Sequence, residues 1–225
     1  MRVEYVDHMG TDLSVVDAAR VSFNKKSTWG ETYDSDEDGY YLKPALKEAD
    51  AKLINWLAKH NHWTPFAHTA ITLRMQAPVP IRTQCFKHKA GFVENEESRR
   101  YISGKPQLFI PESFRKSPEG SIKQGSGDVH EKSEYFKEIY DLMCHNMIDE
   151  YEEMIKNGVC PEQARFILPQ GVEVNWMWTG SLAAYARFYK QRTDPHAQKE
   201  VQDLAKMVGD IIEPLFPVSW RALTC

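Results

Sequence analysis

The densest concentration of chemistry-bearing side chains lies in residues 82–101, RTQCFKHKAGFVENEESRRY. It holds Arg82, Lys87, His88, Lys89, Arg99 and Arg100, interleaved with Glu94, Glu96 and Glu97. Lys87-His88-Lys89 sets three potential donors in a row. Consecutive residues of a helix do not share a face, so these side chains would fan out and grip a large ligand from several sides. A phosphate-bearing ligand suits such a cluster. The plainer reading is a solvated basic helix end that complements the helix dipole.

The elements that must position this segment are legible as periodicities. Residues 11–22 predict a short helix capped by Thr11 or Asp12, with Leu13, Val16 and Ala19 on one face. Residues 46–60 predict a second helix with Leu53, Ile54 and Leu57 inward. Residues 69–77 alternate, Ile71, Leu73, Met75 and Ala77 against Thr72, Arg74 and Gln76, as in a half-buried strand. Pro80 opens a helix expected to run to about Lys89. The longest helical pattern, 130–157, carries Phe136, Ile139, Tyr140, Met143, Met147, Tyr151 and Met154 at core-like spacing, and Gly158 is its expected stop. Pro161 starts a short helix to about Ile167. Val172, Val174, Trp176 and Trp178 alternate with Glu173 and Asn175 as a second strand. Helices are expected from Ser181 to Lys190, and from Pro195 to about Ile212 with Asp194 as cap. Residues 24–44, acidic through Asp34, Asp36, Glu37 and Asp38, and residues 104–128, rich in Gly, Pro, Ser and Lys, read as surface loops. The acidic run lacks the closing Glu of a calcium loop, so no metal is expected. The fold class is α+β, a sheet flanked by helices, in a single domain over residues 1–225.

Composition narrows the function. Apolar residues at 42% and charged residues at 27% describe a globular chain, and a net charge of -4 argues against a general nucleic-acid binder. No RRM, KH or zinc-finger signature is present. The four cysteines at 85, 144, 160 and 225 form no CxxC pair, so a cytoplasmic setting is expected. Residues 1–5 have no apolar signal-type run, and no stretch approaches ~18 apolar residues, so no membrane span is expected.

The 82–101 segment resembles the signature of flavin-dependent thymidylate synthases. That signature is Arg-His-Arg, seven or eight residues, then Ser, commonly within Asn-Glu-x-Ser-x-Arg-Tyr. Here Lys87-His88-Lys89 is followed by Ala90 to Glu97 and then Ser98, and Asn95-Glu96-Glu97-Ser98-Arg99-Arg100-Tyr101 matches the second half. Lys87 and Lys89 depart from arginine; lysine keeps the charge but loses the planar fork. Four further segments resemble family elements in the same order. They are Asp17-Ala18-Ala19-Arg20-Val21-Ser22-Phe23, His62-Trp63-Thr64-Pro65-Phe66-Ala67-His68, Glu162-Gln163-Ala164-Arg165 with Leu168-Pro169, and Arg192-Thr193-Asp194-Pro195-His196-Ala197-Gln198.

The resemblance implies reductive methylation of dUMP to dTMP with FAD as cofactor and NADPH and methylenetetrahydrofolate as co-substrates. It also implies a homotetramer with active sites between subunits. It assigns FAD contacts to Ser22, His62, Thr64, Lys87, His88, Lys89 and Glu96. It assigns dUMP contacts to Gln84, Ser98, Arg100 and Arg165, with Glu97 and Arg99 beside them. Arg192 becomes the catalytic group at the uracil edge, where a fixed positive charge would favour ionised N3; a structural ion pair with Asp194 is its plainer role. Where the family often has Asn-x-Arg, this chain has Ser181-Leu182-Ala183, and Arg187, one turn on, is a substitute for the missing charge. Three other readings are a family member that binds FAD and dUMP without turnover, a flavin-free synthase, and a nucleic-acid binder. The flavin-free reaction needs a Pro-Cys-His setting that Cys85, Cys144 and Cys160 do not offer.

Overall fold

The computed structural model describes residues 1–36, 39–119 and 125–225. In chain order the elements are β1 (Arg2–Met9), α1 (Asp12–Arg20), β2 (Gly30–Asp36), β3 (Gly39–Ala45), α2 (Glu48–Lys59), β4 (Ala70–Pro78), α3 (Val79–Cys85) and β5 (Phe92–Glu96). They continue with α4 (Ser133–Lys156), α5 (Pro161–Ala164), β6 (Glu173–Gly180), α6 (Leu182–Arg192), α7 (Lys199–Ile212) and α8 (Pro217–Thr224). Short 3-10 turns at Val21–Phe23, Thr64–Ala67 and Arg165–Ile167 link them. The main sheet is antiparallel in the order β1-β4-β6-β5. The mixed helix and sheet architecture is the expected α+β class.

The two central strands are the two that alternate most cleanly in sequence. Leu73 pairs with Trp178 and Met75 with Trp176, and all four side chains are buried. Full burial of such side chains favours the folded chain by about 1.5–3 kcal/mol each. Helices α6, α7 and α8 supply the opposing surface through Tyr185, Phe188, Val201, Leu204, Val208, Ile212 and Trp220. The other face of the sheet leaves Arg74 and Met177 exposed and pairs Thr72 with Thr179 through their hydroxyls at 2.9 Å. Buried Asp12, at the start of α1, accepts from the Val218 and Ser219 backbone N–H groups, each at 2.9 Å. One carboxylate thus satisfies donors that the start of α8 leaves free.

Several expectations need correction. Residues 24–44 are not simply a loop: Gly30–Asp36 pairs antiparallel with Gly39–Ala45 as strands β2 and β3, separate from the main sheet. Glu37 and Asp38 lie outside the described residues, as do residues 120–124 of the 104–128 loop. On α1 the buried face is Val15 and Val16, with Leu13 and Ala19 only half-buried. Helix α3 ends at Cys85, not Lys89. There the Lys87 and His88 N–H groups turn to Gln84 and Cys85 carbonyls, and Gly91 at φ 81° reverses the chain into β5. Lys87-His88-Lys89 therefore sits in a tight turn, and its side chains do not fan out around a helix. Helix α7 begins at Lys199, not Pro195, because Asp194 accepts from the His196 N–H at 2.8 Å in a local turn.

The largest correction concerns α4. Its C-terminus follows the expected pattern: Gly158 (φ 85°) donates to Ile155 and Val159 to Met154. Of its expected apolar stripe, however, only Tyr151 is fully buried, with Tyr140 and Met154 half-buried. Phe136, Ile139, Met143 and Met147 are exposed, and the buried side chains are Cys144, Ile148 and Tyr151.

Candidate active site

Arg192 closes α6, a helix fixed at its start by Ser181, whose hydroxyl accepts from the Ala184 N–H at 3.2 Å. Tyr185 pins the same helix to β6 by donating to the Trp178 carbonyl at 2.8 Å. At the other end, Arg192 Nε donates to His88 Nε2 at 2.9 Å. Its two terminal nitrogens reach the Gln84 side-chain oxygen at 3.4 Å and the Gln84 carbonyl at 3.2 Å. A guanidinium can only donate, so His88 Nε2 carries no proton and the ring is the neutral, Nδ1-protonated tautomer. Burial, then the charges of Arg192 and Arg187, push the His88 pKa down to about 4. The ring packs edge-on to Phe188, centroids 5.1 Å apart. Asp194 pairs with His196 at 3.0 Å, so the alternative of an Arg192–Asp194 ion pair is not what the structure forms.

A second group of signature residues surrounds a cavity of about 390 Å³. Its walls include Arg82, Glu96, Glu97, Ser98, Arg99 and Arg165. The pairing of β5 with β6 brings the signature here. The Glu97 N–H donates to the Asn175 carbonyl at 2.9 Å, and Asn175 Nδ2 donates to the Glu97 carboxylate at 3.0 Å. Arg82 Nε faces the Glu96 carboxylate at 3.0 Å. Burial raises the Glu96 pKa, Arg82 opposes the rise and Glu97 adds to it. Arg165 sits on the 3-10 turn after α5 and donates to the Glu162 carbonyl at 3.2 Å. The Arg99 side chain donates to the Gly104 carbonyl. Arg100 is exposed outside the cavity walls, 3.4 Å from Glu162 and over the Tyr101 ring. Neither Gln84 nor Arg192 lines this cavity.

A third group borders a cleft of about 740 Å³ between α6 and the β5 end of the sheet. Ser181, Ala183 and Arg187 line it with Trp63, Ala90, Gly91 and Gly180. The Arg187 guanidinium donates to the Ala90 carbonyl. Small residues keep the floor close to the backbone: a Cβ on Gly91 would lie 3.0 Å from the Ala184 Cβ. Trp63 brings the 62–64 segment to the rim, although His62 and Thr64 are not among the lining residues. His62 stacks on Trp56, centroids 5.0 Å apart. Exposed Ser22 lies in the turn after α1, whose last residue Arg20 donates to buried Asp50 at 3.1 Å. Lys87 is exposed, while Lys89 pairs with Glu94 and lies over the Phe86 ring, 5.3 Å from its centroid.

The family model described as "Thymidylate synthase complementing protein" matches residues 4–218. A flavin-dependent thymidylate synthase from Thermosipho africanus is 31% identical, over 96% of this chain and 88% of that protein. The chain belongs to the flavin-dependent thymidylate synthase family. A relative of the same name from Thermotoga neapolitana is 32% identical, over 98% of this chain and 89% of its own. Among solved structures, a UMP/dUMP methylase PolB from Streptomyces cacaoi bound with 5-Br dUMP has the same fold, with a TM-score of 0.81 at 24% identity. That alignment covers 99% of this chain and 94% of the other.

Within this flavin-dependent thymidylate synthase family member, the proposed site residues are thus divided among three places on one chain. His88 of the signature's first half holds Arg192, the second half walls the smaller cavity, and Ser181 with Arg187, outside the signature, borders the larger cleft. Sequence reasoning assigned no role to Arg82, Gln198, Glu200 or Arg115. Arg82 opens the 82–101 cluster and Gln198 closes the Arg-x-Asp-x-His-Ala-Gln element, so both carried a signal. Arg115 lay in a segment read only as loop.

Proposed function

We propose that this protein methylates dUMP to dTMP reductively, taking the carbon from methylenetetrahydrofolate and using FAD and NADPH. The observation that carries this reading is the Arg192 clamp. Three of its five N–H donors are committed to His88 and Gln84, which leaves two on a guanidinium whose place is fixed. A fixed cation beside the uracil edge lowers the N3 pKa and enriches C5 for attack on the one-carbon unit. Ser98, Arg99 and Arg165 would hold the nucleotide, their cations and hydroxyl suiting a phosphate. Gln84, Glu97 and Arg100 complete the proposed dUMP set.

The residues at the larger cleft fit a flavin dinucleotide: a floor of Gly and Ala accepts a flat ring, and Ser181 and Arg187 offer polar contacts to the rest. When bound, FAD supplies hydride transfer between the nicotinamide and the nascent methyl group. Ser22, His62, Thr64, Lys87, His88, Lys89 and Glu96 are the remaining proposed contacts, with His88 acting through Arg192. Arg187→Ala is expected to weaken FAD binding about tenfold, the order of one charge-assisted contact. Equilibrium titration with FAD measures it, and unchanged affinity would remove Arg187 from the flavin site.

The division of the signature within one chain favours active sites completed between subunits of a homotetramer. The exposed stripe on α4 and the open face of the sheet offer surfaces for that assembly. The paired substitution Ile139→Asp with Met143→Glu is expected to yield smaller species in sedimentation. An unchanged mass would exclude α4 from the interfaces. The four cysteines, all unpaired, suit a reducing cytoplasm.

Tritium release from 5-tritiated dUMP tests the reaction itself. Release that requires folate, FAD and NADPH together supports synthesis of dTMP. A protein that binds flavin and dUMP yet releases nothing would be a binding member of the family, and the tie between Lys89 and Glu94 would be the first place to look.

A further inference from the structure

The groups that hold Arg192 do not end at Gln84. Gln84 Nε2 donates to the Gln198 side-chain oxygen at 2.7 Å, and Gln198 Nε2 donates to a Glu200 carboxylate oxygen at 2.9 Å. Arg115 meets both Glu200 oxygens, at 2.8 and 3.0 Å, and its Nε donates to Ser126 at 2.6 Å. Arg115 and Glu200 are largely shielded, with side chains 22% and 12% exposed.

We propose that the Arg115–Glu200 pair is a positioning element that fixes the amide orientation of Gln84, through Gln198, and thereby the aim of the Arg192 guanidinium. This rests on the reading of Arg192 as the group at the uracil edge. The logic is one of donors and acceptors. An ionised carboxylate can only accept, so Gln198 must turn its NH2 group toward Glu200 and its oxygen toward Gln84. Gln84 must then present its NH2 group to Gln198 and its oxygen to Arg192. A neutral amide at position 200 would remove this polarity. Either glutamine could then flip, and a flipped Gln84 would set an NH2 group against a guanidinium that also only donates. Glu200 is kept ionised: burial works against the charge, and the hydrogen bonds from Arg115 and Gln198 outweigh it. The pair also ties residue 115, distant in sequence, to the first turn of α7.

The test uses the full chain and Glu200→Gln. Selective labelling of glutamine with nitrogen-15 reports the Gln84 side-chain amide in the ligand-free protein, so it speaks even if dUMP is not the substrate. The Gln84 amide signals are expected to shift or broaden. The dUMP KM is expected to rise about tenfold, the order of one hydrogen bond to a charged group, with flavin content unchanged. Adding Gln198→Glu to Glu200→Gln puts an obligate acceptor opposite Gln84 again, and should restore both readouts without restoring the ion pair to Arg115. A pair that served only to stabilise the fold would not be rescued this way. If Glu200→Gln fails to fold, Gln198→Ala cuts the same chain at an exposed residue whose side chain makes no helix cap bond. It should give the same amide shift and KM rise. Unchanged Gln84 signals, or a double variant no better than Glu200→Gln, would overturn the proposal.

Discussion

Arg192→Lys is expected to lower kcat for tritium release by about a thousandfold, the scale of removing a preorganised charge-stabilising donor. The charge itself survives the substitution, so the loss would come from geometry. In the structure three separate nitrogens of one planar group meet three acceptors, His88 Nε2, Gln84 Oε1 and the Gln84 carbonyl. A lysine ammonium is one point with three donors and cannot span that set. His88 Nε2 would lose its donor in a buried site, which costs about 1–3 kcal/mol and frees the ring to move. The guanidinium edge that faces the substrate would be replaced by a mobile, strongly hydrated cation. His88 is a proposed FAD contact that acts through Arg192, so kcat is compared at saturating FAD. An Arg192→Lys enzyme retaining more than a tenth of the wild-type kcat would show that charge alone suffices and that the clamp on His88 and Gln84 is incidental.

What the sequence disclosed follows from where each element lies. Strands β4 and β6 are central and buried on one face, so Ile71, Leu73, Met75, Trp176 and Trp178 write a period of two that survives inspection. Strands β1 and β5 are the sheet edges. Val3, Tyr5 and Asp7 on one, and Glu94 and Glu96 on the other, answer to solvent and neighbours, so no clean alternation marks them. The α4 stripe was legible as apolar and helical but not as exposed, because periodicity reports that a face is to be covered and not what covers it. The same limit explains the site. Spacing and resemblance gathered Ser98, Arg99 and Arg165, which one strand and one turn carry into a single cavity. They could not place Arg192 against His88, a contact between residues far apart in sequence, or bring Arg115 from the 104–128 segment onto Glu200. Asp194 illustrates the converse. Its residue type is right for a helix cap and Pro195 is right for the first turn, yet a local bond to His196 wins and the helix starts four residues later than Pro195, at Lys199.

The neutral state of His88 has a second consequence, for stability against pH. In the unfolded chain a histidine titrates near ~6.5, whereas here burial, Arg192 and Arg187 bring His88 to about 4. Between these values the unfolded chain binds a proton that the native protein refuses. Its stabilising contribution is therefore complete above about pH 6.5 and is lost progressively as pH falls toward 4. The difference amounts to about 3 kcal/mol, a large share of a domain's margin. Protonation would set an N–H of His88 against the Arg192 Nε–H, so the same event that costs stability also breaks the clamp. His88→Asn offers an oxygen to Arg192 without titrating. Urea unfolding at pH 7.5 and pH 4.5 should show a markedly smaller loss for His88→Asn than for the wild type. Carboxylates held below their usual range, Asp50 and Glu200 among them, lose stability in the same direction. They do so equally in both proteins, which is why the difference between the two isolates His88. Identical losses would mean that His88 takes up its proton as readily in the native protein as in the unfolded chain, and that Arg192 is not held by a neutral ring.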